Sequence, residues 1–182
     1  TYDLQDNVDN TGNALAATFS WYAADNPNVT GETTVPQSGG TINDVLVNTT
    51  NTVQSVVYTV IPTGTVGTGC QGNSFTVTVE VDPQPDGAPD TEEICSGDAL
   101  NYDIQATNIN GLGNGVPSVF TYTVASSDEA NVPSAGLDRG VATADPIIDG
   151  FNNPTNSQVT ITYTITPEST GGGCVGDPFT YT

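Results

Sequence analysis

The side chains able to do chemistry in this chain are carboxylates and three thiols. Twenty-one Asp and Glu stand against one cation, Arg139, with no Lys, no His and no Met, for a formal net charge of −20. Paired carboxylates cleave glycosides in some enzymes, but no acidic pair here is embedded in an apolar segment. A catalytic thiol needs a base to activate it, and the chain offers no imidazole or amine. Zinc is disfavoured by the lack of His and of any CxxC spacing. Hard oxygen ligands for Ca²⁺ do gather in one place. Asp82, Asp86, Asp90, Glu92 and Glu93 lie along Asp82-Pro-Gln-Pro-Asp-Gly-Ala-Pro-Asp90-Thr-Glu-Glu, at spacings that match no known calcium loop. Asn7-Val-Asp9-Asn-Thr11-Gly12 faintly resembles half an EF-type loop, but its acids do not recur later in the chain. No catalytic or cofactor-binding residue is assigned, and calcium on the five carboxylates is the one cofactor the sequence suggests.

The elements that would hold these groups repeat. Val-Val-Tyr-Thr-Val-Ile-Pro (56–62), Gly69-Cys70-Gln71-Gly72 and Phe75-Thr-Val-Thr recur as Thr-Ile-Thr-Tyr-Thr-Ile-Thr-Pro (160–167), Gly173-Cys174-Val175-Gly176 and Phe179-Thr-Tyr-Thr. Tyr2-Asp3-Leu4-Gln5 matches Tyr102-Asp103-Ile104-Gln105, and Phe19-Ser-Trp21 matches Phe120-Thr-Tyr122. A period of about 100 residues fits a whole β-sandwich domain. Thr1 aligns with Asn101 and Thr182 with Thr78, so both copies would be incomplete and the chain is expected to be a fragment of a longer array. The expected domains are 1–82 and 93–182, joined by a semi-rigid Pro/Asp-rich linker, 83–92.

Strands follow from period-2 patterning. Phe75, Val77, Val79 and Val81 alternate with polar residues. Val56, Tyr58 and Val60 match Ile161, Tyr163 and Ile165, and Phe19, Trp21 and Ala23 match Phe120, Tyr122 and Val124. A weaker pattern, Ile42-x-Asp44-x-Leu46-x-Asn48, recurs as Ile147-x-Asp149-x-Phe151-x-Asn153. Tyr2 with Leu4, and Tyr102 with Ile104, read as a further strand. No helix of useful length is expected, because Gly, Pro, Asn and Asp interrupt every pattern. The fold class is all-β: two tandem immunoglobulin-like β-sandwiches. Trp21 could stack on a sugar, but its place in an alternating strand makes it a core residue.

The repeat also organises the thiols. Cys174 and Cys70 occupy the same turn, and Cys95 precedes the first strand of the second copy. Cys95–Cys174 within the second copy leaves Cys70 as the orphan; Cys70–Cys95 across the two copies is the competing pairing. Closing the Cys95–Cys174 loop would contribute roughly 4 kcal/mol.

Total charge is only 12% and hydrophobic content 35%, which argues for a folded chain and against a charged disordered tail. Nucleic acid and anionic membranes are disfavoured as partners, because nothing pairs with phosphate. No apolar run is long enough to insert in a membrane.

Ile94-Cys95-Ser96-Gly97, Tyr-Thr-(Val/Ile)-x-Pro and Gly-Cys-x-Gly before Phe-Thr-x-Thr resemble the PKD-like, immunoglobulin-type repeats of giant Bacteroidota surface adhesins. The resemblance implies export by the type IX system, an extracellular cell-surface location, and a role as stalk or adhesive module in a filament, including the adhesins of gliding motility. It implies neighbouring repeats as partners and no catalysis. A dedicated glycan- or calcium-binding extracellular module is the alternative.

Overall fold

Alternating apolar and threonine residues give each strand one face to bury and one to hydrate, and two sets of such strands close two separate cores. The computed structural model describes residues 2–12, 15–67 and 69–182. It divides into two units, Thr1–Val81 and Asp82–Thr182. Among the described residues no helix is long and apolar enough to cross a membrane.

In the first unit the elements run β1 (Tyr2–Asp3), α1 (Leu4–Asn10), β2 (Ala17–Ala23), β3 (Val29–Thr30), β4 (Gln37–Ser38), β5 (Thr41–Ile42), β6 (Val47–Asn48), β7 (Gln54–Gly64) and β8 (Phe75–Val81). The main antiparallel sheet has the order β4-β2-β7-β8, and β1-β5 and β3-β6 form two short ribbons. Trp21 stands opposite Val60, and Tyr58 opposite Val77. That register sends Phe19, Trp21, Ala23, Val56, Tyr58 and Val60 into one core with Leu4, Val29 and Ile42. Trp21 is therefore interior, packed edge-on against Tyr58 with ring centroids 5.9 Å apart.

The second unit repeats the plan with β9 (Ser118–Ser126), β10 (Arg139–Thr143), β11 (Ile161–Ser169) and β12 (Phe179–Tyr181), ordered β10-β9-β11-β12. β9 and β11 pair without interruption from Ser118↔Ser169 to Ser126↔Ile161. Single bridges Tyr102↔Ile147 and Ala99↔Gly150 stand where the first unit has its β1-β5 ribbon. Leu100, Tyr102, Ile104, Ile147, Phe120, Tyr163 and Tyr181 share the core.

Two expectations are corrected. Tyr2 with Leu4, and Tyr102 with Ile104, do not continue as a strand. Each Tyr-Asp pair is followed at once by a helical turn, α1 in the first unit and a π-helix, Ile104–Ile109, in the second. Asp3 accepts from the Gln5 amide (3.0 Å) and Asp103 from the Ala106 amide (2.9 Å), satisfying N–H groups that a helix start leaves without intrahelical partners. The turn then aims Leu4 and Ile104 inward, where both are buried. The second correction concerns 83–92, expected as a linker. This stretch lies within the second unit, bonded along its last strand.

Candidate functional site

The described contacts richest in polar chemistry line the path of that leading segment across the second unit. Asp90 pairs in parallel with Tyr181. The Asp90 amide donates to the Thr180 carbonyl (3.0 Å), the Thr182 amide to the Asp90 carbonyl (3.1 Å), and the Glu92 amide to the Thr182 carbonyl (2.8 Å). Upstream, the Asn108 side chain brackets Ala88, accepting from its amide (3.0 Å) and donating to its carbonyl (2.8 Å). Gln84 Nε2 donates to the Val175 carbonyl (2.9 Å). Prolines 83, 85 and 89 cost this pairing nothing, because every N–H it uses belongs to another residue.

Side chains lock the same seam. The Tyr102 and Tyr181 rings stack 3.9 Å apart at 17°. The Tyr102 hydroxyl donates to Asp90 Oδ2 (2.9 Å) and accepts from Asn108 Nδ2 (3.2 Å). The Tyr181 hydroxyl donates to Glu92 Oε2 (2.8 Å). Deeper in, Tyr163 donates to Asp149 (2.6 Å), as Tyr58 does to Asp44 (2.8 Å) in the first unit. Burial pushes the Tyr102 phenol up from 10.0 to about 12, with its Asp90 acceptor acting in the same direction against Asn108. Burial, followed by a hydrogen bond to a carboxylate, raises Tyr181, Tyr163 and Tyr58 as well. Tyr122 is raised by burial too, opposed by Arg139, whose guanidinium sits 5.0 Å from its ring centroid. Phenols held protonated against carboxylate acceptors shuttle no proton near neutral pH. They anchor segments.

The five expected calcium ligands are accordingly dispersed. Asp90 and Glu92 accept from tyrosines, Glu93 accepts from Gln158 Nε2 (3.2 Å), Asp82 packs against Gly172, and Asp86 is exposed. Among the described residues, no three His, Cys, Asp or Glu side chains come close enough together to hold a metal ion.

The expected Cys95–Cys174 bond is not formed; both residues are thiols. Cys95 lines a hollow beside Thr160 and Ile161, where β11 starts. Cys174 accepts from the Ser169 amide (2.9 Å), where β11 ends. A nine-residue strand separates them, on the order of 26 Å at the usual strand rise, whereas a disulfide holds its Cα atoms within about 7 Å. The repeat correctly placed Cys174 and Cys70 in equivalent turns but did not show that Cys95 sits at the opposite end of its unit. Alkylating the unfolded, unreduced chain should modify both Cys95 and Cys174. Recovery of a Cys95–Cys174 crosslinked peptide would restore the pairing read from spacing.

Two residues that carry the site escaped sequence reasoning. Asn108 and Tyr181 have no like-for-like counterpart in the first copy, which carries Val8 and Val77 at the matching places. Gln5 and Gln105 were visible in the recurring Tyr-Asp-(Leu/Ile)-Gln motif. Gln5 Oε1 accepts from the Ala17 amide (3.2 Å) and its Nε2 donates to the Leu15 carbonyl (3.1 Å). Gln105 does the same with the Ser118 amide (2.8 Å) and the Val116 carbonyl (3.2 Å). One glutamine thus clips each helical turn to the start of the main sheet.

The PKD-like domain family matches residues 1–85 and again 92–182. No curated protein and no solved structure matches the chain.

Proposed function

The chain belongs to the PKD-like domain family, and on that premise we propose that its two units are force-bearing repeats of a long bacterial cell-surface adhesin fibre. PKD-like domains are in general extracellular structural or adhesive modules. In this reading the fibre is exported by the type IX system and works as a stalk that presents many weak contacts at once, as in gliding motility. It turns over no substrate.

One observation carries the mechanical part. In the second unit the leading segment pairs in parallel with the final strand through the Asp90, Glu92 and Thr182 amides. Tension between the two ends of this unit pulls parallel neighbours in opposite directions, so those bonds and the Tyr102–Tyr181 stack load together in shear. Antiparallel terminal strands would instead peel one bond at a time. Hydrogen bonds contribute only about 1 kcal/mol each at equilibrium, but simultaneous rupture raises the force needed.

Pulling single molecules of the chain from its ends tests this. The second unit should unfold at a clearly higher force than the first, whose β8 has no partner on its outer edge among the described residues. A second unit that yields at or below the force of the first would remove the basis for the stalk.

A further inference from the structure

The first unit carries an open version of the channel that the second unit has filled. In the second unit the leading segment runs over Pro167, Gly176 and Phe179. A Cβ on Gly176 would overlap the Pro85 carbonyl oxygen, and one on Gly87 would overlap the Phe179 ring. The repeat places Pro62, Gly72 and Phe75 at the matching positions of the first unit. There they line a groove of about 620 Å³, together with Val8 and Gly64. Among the described residues, a Cβ on Gly72 meets only Pro62, at 3.2 and 3.7 Å.

The neighbouring residues differ in the way an unfilled channel requires. Phe179 is 4% exposed, while Phe75 is only half-buried. Tyr102 is 4% exposed beneath its segment, while Tyr2 is 40% exposed. Among the described residues, β8 is the last strand of its sheet on that side. Its alternating pattern, Phe75-x-Val77-x-Val79, presents a regular ladder of N–H and C=O groups to a further strand.

The geometry points to a docking channel in the first unit, formed by the outer edge of β8 and the groove over Pro62, Gly72 and Phe75. Its occupant is an extended proline- and aspartate-rich connector of the Asp82–Glu93 kind, joined ahead of Tyr2. The connector runs parallel to β8 and meets it at Val77, as Asp90 meets Tyr181. Val8 and Val77, standing where the second unit has Asn108 and Tyr181, make this seat apolar and remove the amide bracket and the ring stack. The channel therefore selects through backbone pairing and proline packing. The inference rests on the reading of the chain as part of a repeat array and extends it: each connector would complete the clamp of the repeat that follows it.

Fusing the sequence of residues 82–100 ahead of Thr1 tests the channel. The fused chain should melt its first unit about 5 °C or more higher, with slowed amide exchange along β8 and a shielded Tyr2. The same fusion carrying the Gly87→Val change, or a Gly72→Val change in the groove, should lose the gain. No shift in melting or exchange, or an equal shift with the Gly87→Val control, would overturn the proposal. So would dimerisation of the fused chain, which would mean that the segment seats on a second copy. These readouts need no force measurement, so a mechanically weak second unit would end the stalk reading and leave the channel untouched.

Discussion

Replacing Gly176 by valine destabilises the second unit by about 3 kcal/mol and detaches the segment from Asp82 to Glu92, while the first unit keeps its stability. A Cβ at Gly176 would occupy the place of the Pro85 carbonyl oxygen and stand 2.8 Å from Pro167 Cγ. The first obstacle is backbone, which cannot swing aside as a flexible side chain does, so relief requires the segment to lift. Lifting it breaks the Gln84 and Asn108 contacts and strains the clamp at Asp90. Gly171→Val serves as the control: nothing lies within 4 Å of its Cβ position, and a change in open space costs within about 0.5 kcal/mol. Equilibrium unfolding separates the units, because the chain's one tryptophan, Trp21, reports the first unit and the four buried tyrosines of the second report the other. An unchanged second transition in Gly176→Val would show that the segment is only draped on the unit and does not support it.

Strands such as Val56-Tyr58-Val60 and Phe120-Tyr122 were legible because a strand's faces are fixed by period 2, and one face must be buried. The tandem plan was legible because the repeat preserved core landmarks such as Tyr58 and Tyr163. The helical turns were not, because Tyr-x-Leu and Tyr-x-Ile alternate like a strand. Only the Asp between the two apolar residues, acting as a cap, marked the turn. The leading segment reads as a linker in the sequence because three prolines suppress regular pairing. The donors that matter, Asp90, Glu92 and Thr182, all lie beyond those prolines. Five carboxylates gathered along one proline-rich stretch suggest calcium from the sequence, without a matching ligand spacing. The tyrosines that bond two of them, Tyr102 to Asp90 and Tyr181 to Glu92, are distant in sequence or on another element and become visible only at the seam.

Above pH 10 the second unit should lose stability steeply and well before the first. Four of the buried phenols with raised pKa values, Tyr102, Tyr122, Tyr163 and Tyr181, belong to the second unit, and one, Tyr58, to the first. The direction follows from linkage. In the unfolded chain these phenols release protons from about pH 10 upward, near their ordinary value. In the folded unit they hold them longer, Tyr102 until about pH 12. Between those limits the unfolded state binds fewer protons, so rising pH favours unfolding; below pH 10 the contribution is fully present. Each unit of difference corresponds to about 1.4 kcal/mol, and the second unit has four phenols raised in this direction where the first has one. Phenolate absorbance and circular dichroism should therefore change together, as a cooperative event in the second unit. Tyr181→Phe removes one of the four ionisations and leaves Glu92 solvated, so it should flatten the alkaline decline while costing little at pH 7. Phenols that ionise independently near pH 10 with the fold intact would mean that the seam does not enclose them, and the anchoring role of Asp90 and Glu92 would fall with it.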